Sequence, residues 1–235
     1  MLRRLLLVAL IAGVASGMVA TIAQALLVWP QIEKAEAIEA AHQPAPQPLP
    51  KPTPQAGQPA HADHGQAPGG LLAPSWITAT LANVVVGVGF ALLLAGLWLV
   101  TQMKGGLVAG LLWGCGGFAA FVAAPALVLP ALPPGVEAGD LASRQLIWIG
   151  TALATSAGLL LASLARPIWL RIAGLLVIGA PHVLIGALPL PAMEGELAAL
   201  RGHYLRGLLI AAALFWLSLG SVGGIAWAKL LRGAS

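Results

Sequence analysis

Four of the five histidines carry the chemistry this chain could do. His61, Asp63 and His64 form the run HADH, and His42 lies upstream of it. Two imidazoles three residues apart, with a carboxylate between them, can converge on one divalent cation if the backbone bends. Imidazole suits the later first-row metals. The competing reading is a solvated, low-complexity stretch whose histidines bind nothing. Only neutral imidazole coordinates metal, so capture at such a site fades below about pH 6.5.

His182 is different in kind. It sits in VIGAPHVLIGALPLP, inside a charge-free run from Ile172 to Met193. An ionisable group within an apolar span is a functional candidate by default. The alternative is one interhelical hydrogen bond, worth about 0.6 kcal/mol. The adjacent Pro181 removes a backbone donor and exposes a carbonyl one turn back, which can serve a cation. Asn83 is the other strong polar group at depth. These residues predict metal capture at His42, His61, Asp63 and His64, then transit by His182, Asn83 and the carbonyl freed by Pro181. Cys115 has no partner cysteine, so it reads as a small packing residue.

Absent motifs narrow the function. No G-x-x-x-x-G-K-[ST] loop is present, so nothing in the sequence hydrolyses nucleotide. No HExxH or GxSxG occurs, and no acidic residue falls inside an apolar run. An enzyme is therefore not expected, and neither is a carboxylate proton relay.

The elements that must position these groups are membrane helices. The chain has 235 residues, 59% hydrophobic and 9% charged. Soluble domains carry about 25% charged residues. A span needs roughly 20 apolar residues. Six runs approach that length: about 5–29, 76–100, 107–129, 145–165, 172–190 and 207–228. The expectation is an all-α, polytopic membrane bundle forming one domain over 1–235. The fifth run is the shortest, so five spans with a re-entrant fifth segment is the alternative. The first run opens like a signal peptide but stays apolar to Trp29, which favours a retained helix.

Charge orients the bundle. With both termini cytoplasmic, seven basic residues (Arg3, Arg4, Lys104, Arg166, Arg171, Lys229 and Arg232) lie on short inner segments, against five outside. All eight acidic residues then lie outside. The net charge of +4 does not indicate nucleic acid, because the basic residues form no stripe. The outer segment 30–75 has proline at every second position from Pro44 to Pro54, which predicts an extended, largely disordered loop. Gly13 and Gly17, Gly106, Gly110 and Gly114, and Gly220 and Gly224 repeat at four-residue spacing. Glycine at that spacing lets membrane helices approach closely, within one chain or in a homo-oligomer.

Several stretches taken in order resemble the CbtA family of proposed cobalt transporter subunits. They are MLRRLLLVALIAGVASGMV at the start, ANVVVGVGFALLLAG at 82–96, LLWGCGGFAAFVAAPALVLPALPPG at 111–135 and DLASRQLIWIGTALATSAGL at 140–159, with GAPH at 179–182. The resemblance implies a multi-pass protein of the bacterial inner membrane that takes up Co²⁺ for cobalamin synthesis and holds no tightly bound cofactor. It also implies a partner, a small single-span protein with a histidine motif like CbtB. Members carry two histidines near the fifth span. Here His182 stands alone, with Leu188 or Leu190 where a second is expected. A second ligand would come from Asn83, His203 or the partner. Ligand type does not separate Co²⁺ from Ni²⁺. Two other functions remain at this level: an accessory subunit with no transport site of its own, and a permease for another small solute.

Overall fold

The computed structural model describes residues 2–42, 74–134, 136, 139–188, 191, 193 and 195–232. The elements are α1 (Leu2–Leu27), α2 (Trp29–His42), α3 (Pro74–Val100), α4 (Leu107–Phe118), a π-helical turn (Ala119–Ala123), α5 (Ala124–Val128), α6 (Leu141–Leu164), α7 (Ile168–Leu184) and α8 (Gly195–Arg232). There is no strand among the described residues, and the protein is an all-α membrane bundle. Five helical stretches are long and apolar enough to cross a bilayer, and α7 is a shorter apolar helix.

Glycines set the bundle's contacts. A Cβ on Gly13 would lie 2.5 Å from Val88 Cα, and one on Gly17 would lie 2.6 Å from Val84 Cα, so α1 and α3 touch backbone to backbone. On the other side of the core, Gly106, Gly110 and Gly114 of α4 meet Trp216, Gly220 and Gly224 of α8. The Gly106 N–H donates to the Gly224 carbonyl at 2.8 Å across this crossing. Gly158 of α6 packs on Gly174 of α7 in the same manner. In lipid no hydrophobic effect draws helices together, so close backbone approach supplies the dispersion contact. The sequence picked out the first two of these faces but not the third.

The glycine-lined pairs α1–α3, α4–α8 and α6–α7 are antiparallel, whereas α3 and α8 run parallel, with Trp98 beside Gly223 and Trp227. Residues late in one helix meet residues early in the next, so α1, α3, α4–α5, α6, α7 and α8 alternate in direction. Both termini therefore lie at one end, where Leu5 and Leu230 join the same apolar cluster. The α7 helix has 17 residues, about 25 Å at 1.5 Å per residue. Beyond it, the Leu188 N–H donates to the Val128 carbonyl at 2.9 Å. Val128 ends the third crossing, so the chain from Ile168 to Leu188 traverses the same depth as α4–α5. The fifth run thus ends level with the third crossing, although α7 is shorter than the five membrane-length helices among the described residues.

Two local features depart from expectation. The π turn is one: Pro125 has no N–H, and its ring would collide with the Phe121 carbonyl in an α-helix. The chain widens instead, and the Ala124 N–H reaches back five residues to the Ala119 carbonyl. The other is α2. Residues 30–42 form a helix, not the extended loop expected from residue 30. The prolines that forbid a helix begin only at Pro44, and the stretch WPQIEKAEAIEAAH has Pro30 in its first turn, where its missing N–H costs nothing. Residues 43–73 lie outside the described residues, and Pro74 and Ser75 already belong to α3.

Candidate functional site

The end of the bundle opposite the two ends of the described chain is built by α2 and the start of α8. With 38 residues, α8 is longer than a crossing requires. Gly207 packs against Leu27, where α1 ends, so the residues of α8 before Gly207 project past the apolar bundle. The α2 helix turns back onto this projection. Ala23, Val28 and Ala211 form a small core there, with Trp29, Ile32, Tyr204 and Leu208 packed around it.

A groove of about 480 Å³ lies between the two helices, lined by Gln31, Lys34, Ile38, Glu196, Leu200 and His203 among others. Glu196 and His203 are two turns apart on α8, so they share a face. A carboxylate, an imidazole and an amide oxygen can receive a hydrated divalent cation. Lys34, exposed on α2 at the groove's edge, opposes that attraction. Glu33, Glu36 and Glu39 are exposed on α2 and add negative charge at the same end. The sequence named His203 only as a possible second ligand and counted Glu196 only among the outer acidic residues. Their two-turn spacing was the available signal.

His182 sits in the last turn of α7, two residues from its end. That places it near the C-terminal end of α7, not midway as the 172–190 span suggested, because the helix stops at Leu184. It is half-buried, and among the described residues its ring has no hydrogen-bond partner. Pro181 beside it is buried. Asn83 is elsewhere. Its amide donates to Thr21 Oγ1 at 3.0 Å and to Gln24 Oε1 at 2.9 Å, which ties α3 to α1. The α3 helix packs on α1 and α8, whereas α7 packs on α6 and α5. Asn83 and His182 are thus not brought together, and both Asn83 amide hydrogens are committed to structure.

His42 is the last residue of α2. His61, Asp63 and His64 lie outside the described residues. Among the described residues no three of His, Cys, Asp and Glu converge as a metal site. Cys115 is exposed on α4, whose packed face is formed by Gly110, Gly114 and Gly117. It is therefore not the packing residue expected from its neighbours in sequence.

The comparisons with known proteins are consistent with this architecture. A family model described as "Probable cobalt transporter subunit (CbtA)" matches residues 2–228, nearly the whole chain. Neither a curated protein nor a solved structure matches it.

Proposed function

The chain belongs to the CbtA family of probable cobalt transporter subunits, and from that membership we propose that it gathers Co²⁺ at its outer face and passes the ion inward through the bundle. The observation that carries this reading is the family match over residues 2–228 of a polytopic membrane protein. The groove holding Glu196 and His203 supports an outer gathering surface, which His42 at the end of α2 and the residues His61, Asp63 and His64 beyond it would extend. His182, near the outer end of α7, is the next imidazole inward.

The described residues bring no three ligands together. That supports a site completed by the loop or by a partner, a small single-span histidine-motif protein such as CbtB. The basic residues Arg3, Arg4, Lys104, Arg166, Arg171 and Lys229 cluster at the end of the bundle that carries both termini, which supports placing that end in the cytoplasm of a bacterial inner membrane. A divalent ion moving inward gains about 4.6 kcal/mol per 100 mV, at 2.3 kcal/mol per charge. We read the protein as a transporter subunit supplying cobalamin synthesis and not as an enzyme.

The test is uptake of radioactive cobalt by cells expressing the protein with its partner. His182→Ala and the pair Glu196→Gln with His203→Ala should each lower the initial rate at unchanged protein level. Equal uptake by cells lacking the protein would refute the function. Uptake that needs the protein but ignores all three substitutions would remove these residues from the path.

A further inference from the structure

Thr151 and Thr155 stand one turn apart on α6, 1% and 2% exposed. Among the described residues neither hydroxyl has a hydrogen-bond partner. Other hydroxyls in the bundle behave differently. Ser16, Thr21, Thr80 and Thr101 each donate to a carbonyl three or four residues back. Ser156, the neighbour of Thr155 on the same helix, does so as well, to Ala152 at 2.7 Å. Trp98 Nε1 also lacks a partner, but its ring stands edge-on to Trp227 in the aromatic core.

The register of the α6–α7 hairpin shows what faces the two threonines. Gly158 follows Thr151 and Thr155 on the same stripe of α6. A Cβ there would lie 2.6 Å from the Gly174 carbonyl and 2.5 Å from Ile178 Cγ1. Two turns back from Gly158 is Thr151, and two turns forward from Gly174, along the antiparallel helix, is Pro181. Gly174 and Pro181 are the two buried residues of α7. Pro181 offers no N–H to the Val177 carbonyl, so that oxygen lacks its intrahelical donor. Pro125 and Val128 of α5 are buried beside this hairpin, and Leu188 is tied to Val128. By this register the two unsatisfied hydroxyls and the turn of α7 whose carbonyl Pro181 releases lie at matching depth along one hairpin.

This donor set is oxygen only and uncharged, which is the chemistry of a hard cation. The cost of burying an ion rises with the square of its charge, so a neutral niche favours a monovalent ion over the divalent cargo. Secondary transporters bind sodium where interrupted helices release carbonyls near the middle of the membrane. No Asp or Glu occurs in the apolar runs to relay protons instead. We infer that the α6–α7 hairpin binds a sodium ion between the Thr151 and Thr155 hydroxyls and the Val177 carbonyl, and that this ion is coupled to uptake. The binding stands without the cobalt reading, whereas the coupling rests on it.

The direct test is thermal unfolding of the purified full chain in NaCl, KCl and choline chloride at equal ionic strength. Sodium alone should raise the midpoint, and the rise should vanish in Thr151→Val and in Thr155→Val. Thr155→Ser should keep it. Valine preserves volume and removes an unsatisfied buried hydroxyl, so both valine variants should match or exceed the wild-type midpoint in KCl, which shows that they fold. Equal wild-type midpoints in all three salts would overturn the inference, since a buried water would satisfy the hydroxyls without regard to salt. A sodium rise that survives both valine substitutions would overturn the assignment to these residues. In vesicles carrying the protein and its partner, an inward sodium gradient should speed cobalt uptake, and Thr155→Val should abolish that acceleration. Uptake indifferent to sodium, beside sodium-specific stabilisation, would refute the coupling and leave the site.

Discussion

Replacing Gly110 with alanine tests whether α4 and α8 are held by direct backbone contact. A Cβ on Gly110 would run into the Gly220 carbonyl oxygen and lie 3.0 Å from Gly224 Cα. The reciprocal position is equally tight: a Cβ on Gly224 would lie 2.7 Å from Gly110 Cα. The obstacles are backbone atoms, so no rotamer change relieves them. Ordinary contact begins at 3.4 Å, so the helices must part by most of an ångström. A gap of that size forfeits about a quarter to a half of each dispersion contact along the crossing. It also lengthens the 2.8 Å bond from Gly106 N–H to the Gly224 carbonyl. Overpacking of this kind costs about 1–3 kcal/mol, against which alanine regains up to about 1 kcal/mol of helix propensity. With that gain realised in full, the expected net loss is up to about 2 kcal/mol. Gly116→Ala on the same helix is the control, because nothing lies within 4 Å of its Cβ position. It should be neutral or stabilising by up to about 1 kcal/mol. Unfolding the purified protein in mixed micelles, followed by tryptophan fluorescence, compares the two. Indistinguishable midpoints would show that the crossing is not limited by backbone contact.

Asn83→Leu removes two bonds between α3 and α1, and at about 0.6 kcal/mol each it should lower stability by roughly 1 kcal/mol. Because Asn83 is not near His182, cobalt uptake per folded molecule should stay unchanged, and a large fall in that ratio would restore Asn83 to the path. Asp140 caps α6 by accepting from the Ser143 N–H at 2.8 Å, and its hydrogen bonds to Ser143 hold its carboxyl below the usual carboxylate value. A lowered value means that the cap's contribution is present at neutral pH and is lost as the carboxylate protonates in acid. Amide exchange at the start of α6 should therefore speed up below about pH 4 in the wild type. Asp140→Asn, an equally good cap, should remove that pH dependence while leaving exchange at neutral pH unchanged; an identical acid response in both proteins would show that another group is responsible.

Much of the architecture is legible in hydropathy alone, because a bilayer demands long apolar helices with every backbone group bonded internally. The glycine spacing at Gly106, Gly110 and Gly114 even marks which face of α4 is packed, since only a side chain of hydrogen permits that approach. Other features depend on which helix lies opposite. Gly158 and Gly174 form no repeat within either helix, so their contact shows only in the assembled hairpin. Asn83 reads as a pathway residue until Thr21 and Gln24 are seen beside it.

The sequence by itself determined that this chain crosses a membrane several times, that seven of its twelve basic residues fall on the short segments expected at one side, and that it belongs with proposed cobalt transporter subunits, because these follow from residue types taken along the chain. Only the tertiary structure decided that the short α7 ends level with the third crossing, that Glu196 and His203 share a groove with α2, and that Thr151 and Thr155 are buried without hydrogen-bond partners among the described residues. Those outcomes depend on the register between helices far apart in the chain, and register is set by backbone approach at glycine and by the depth each helix reaches, quantities that no single segment carries.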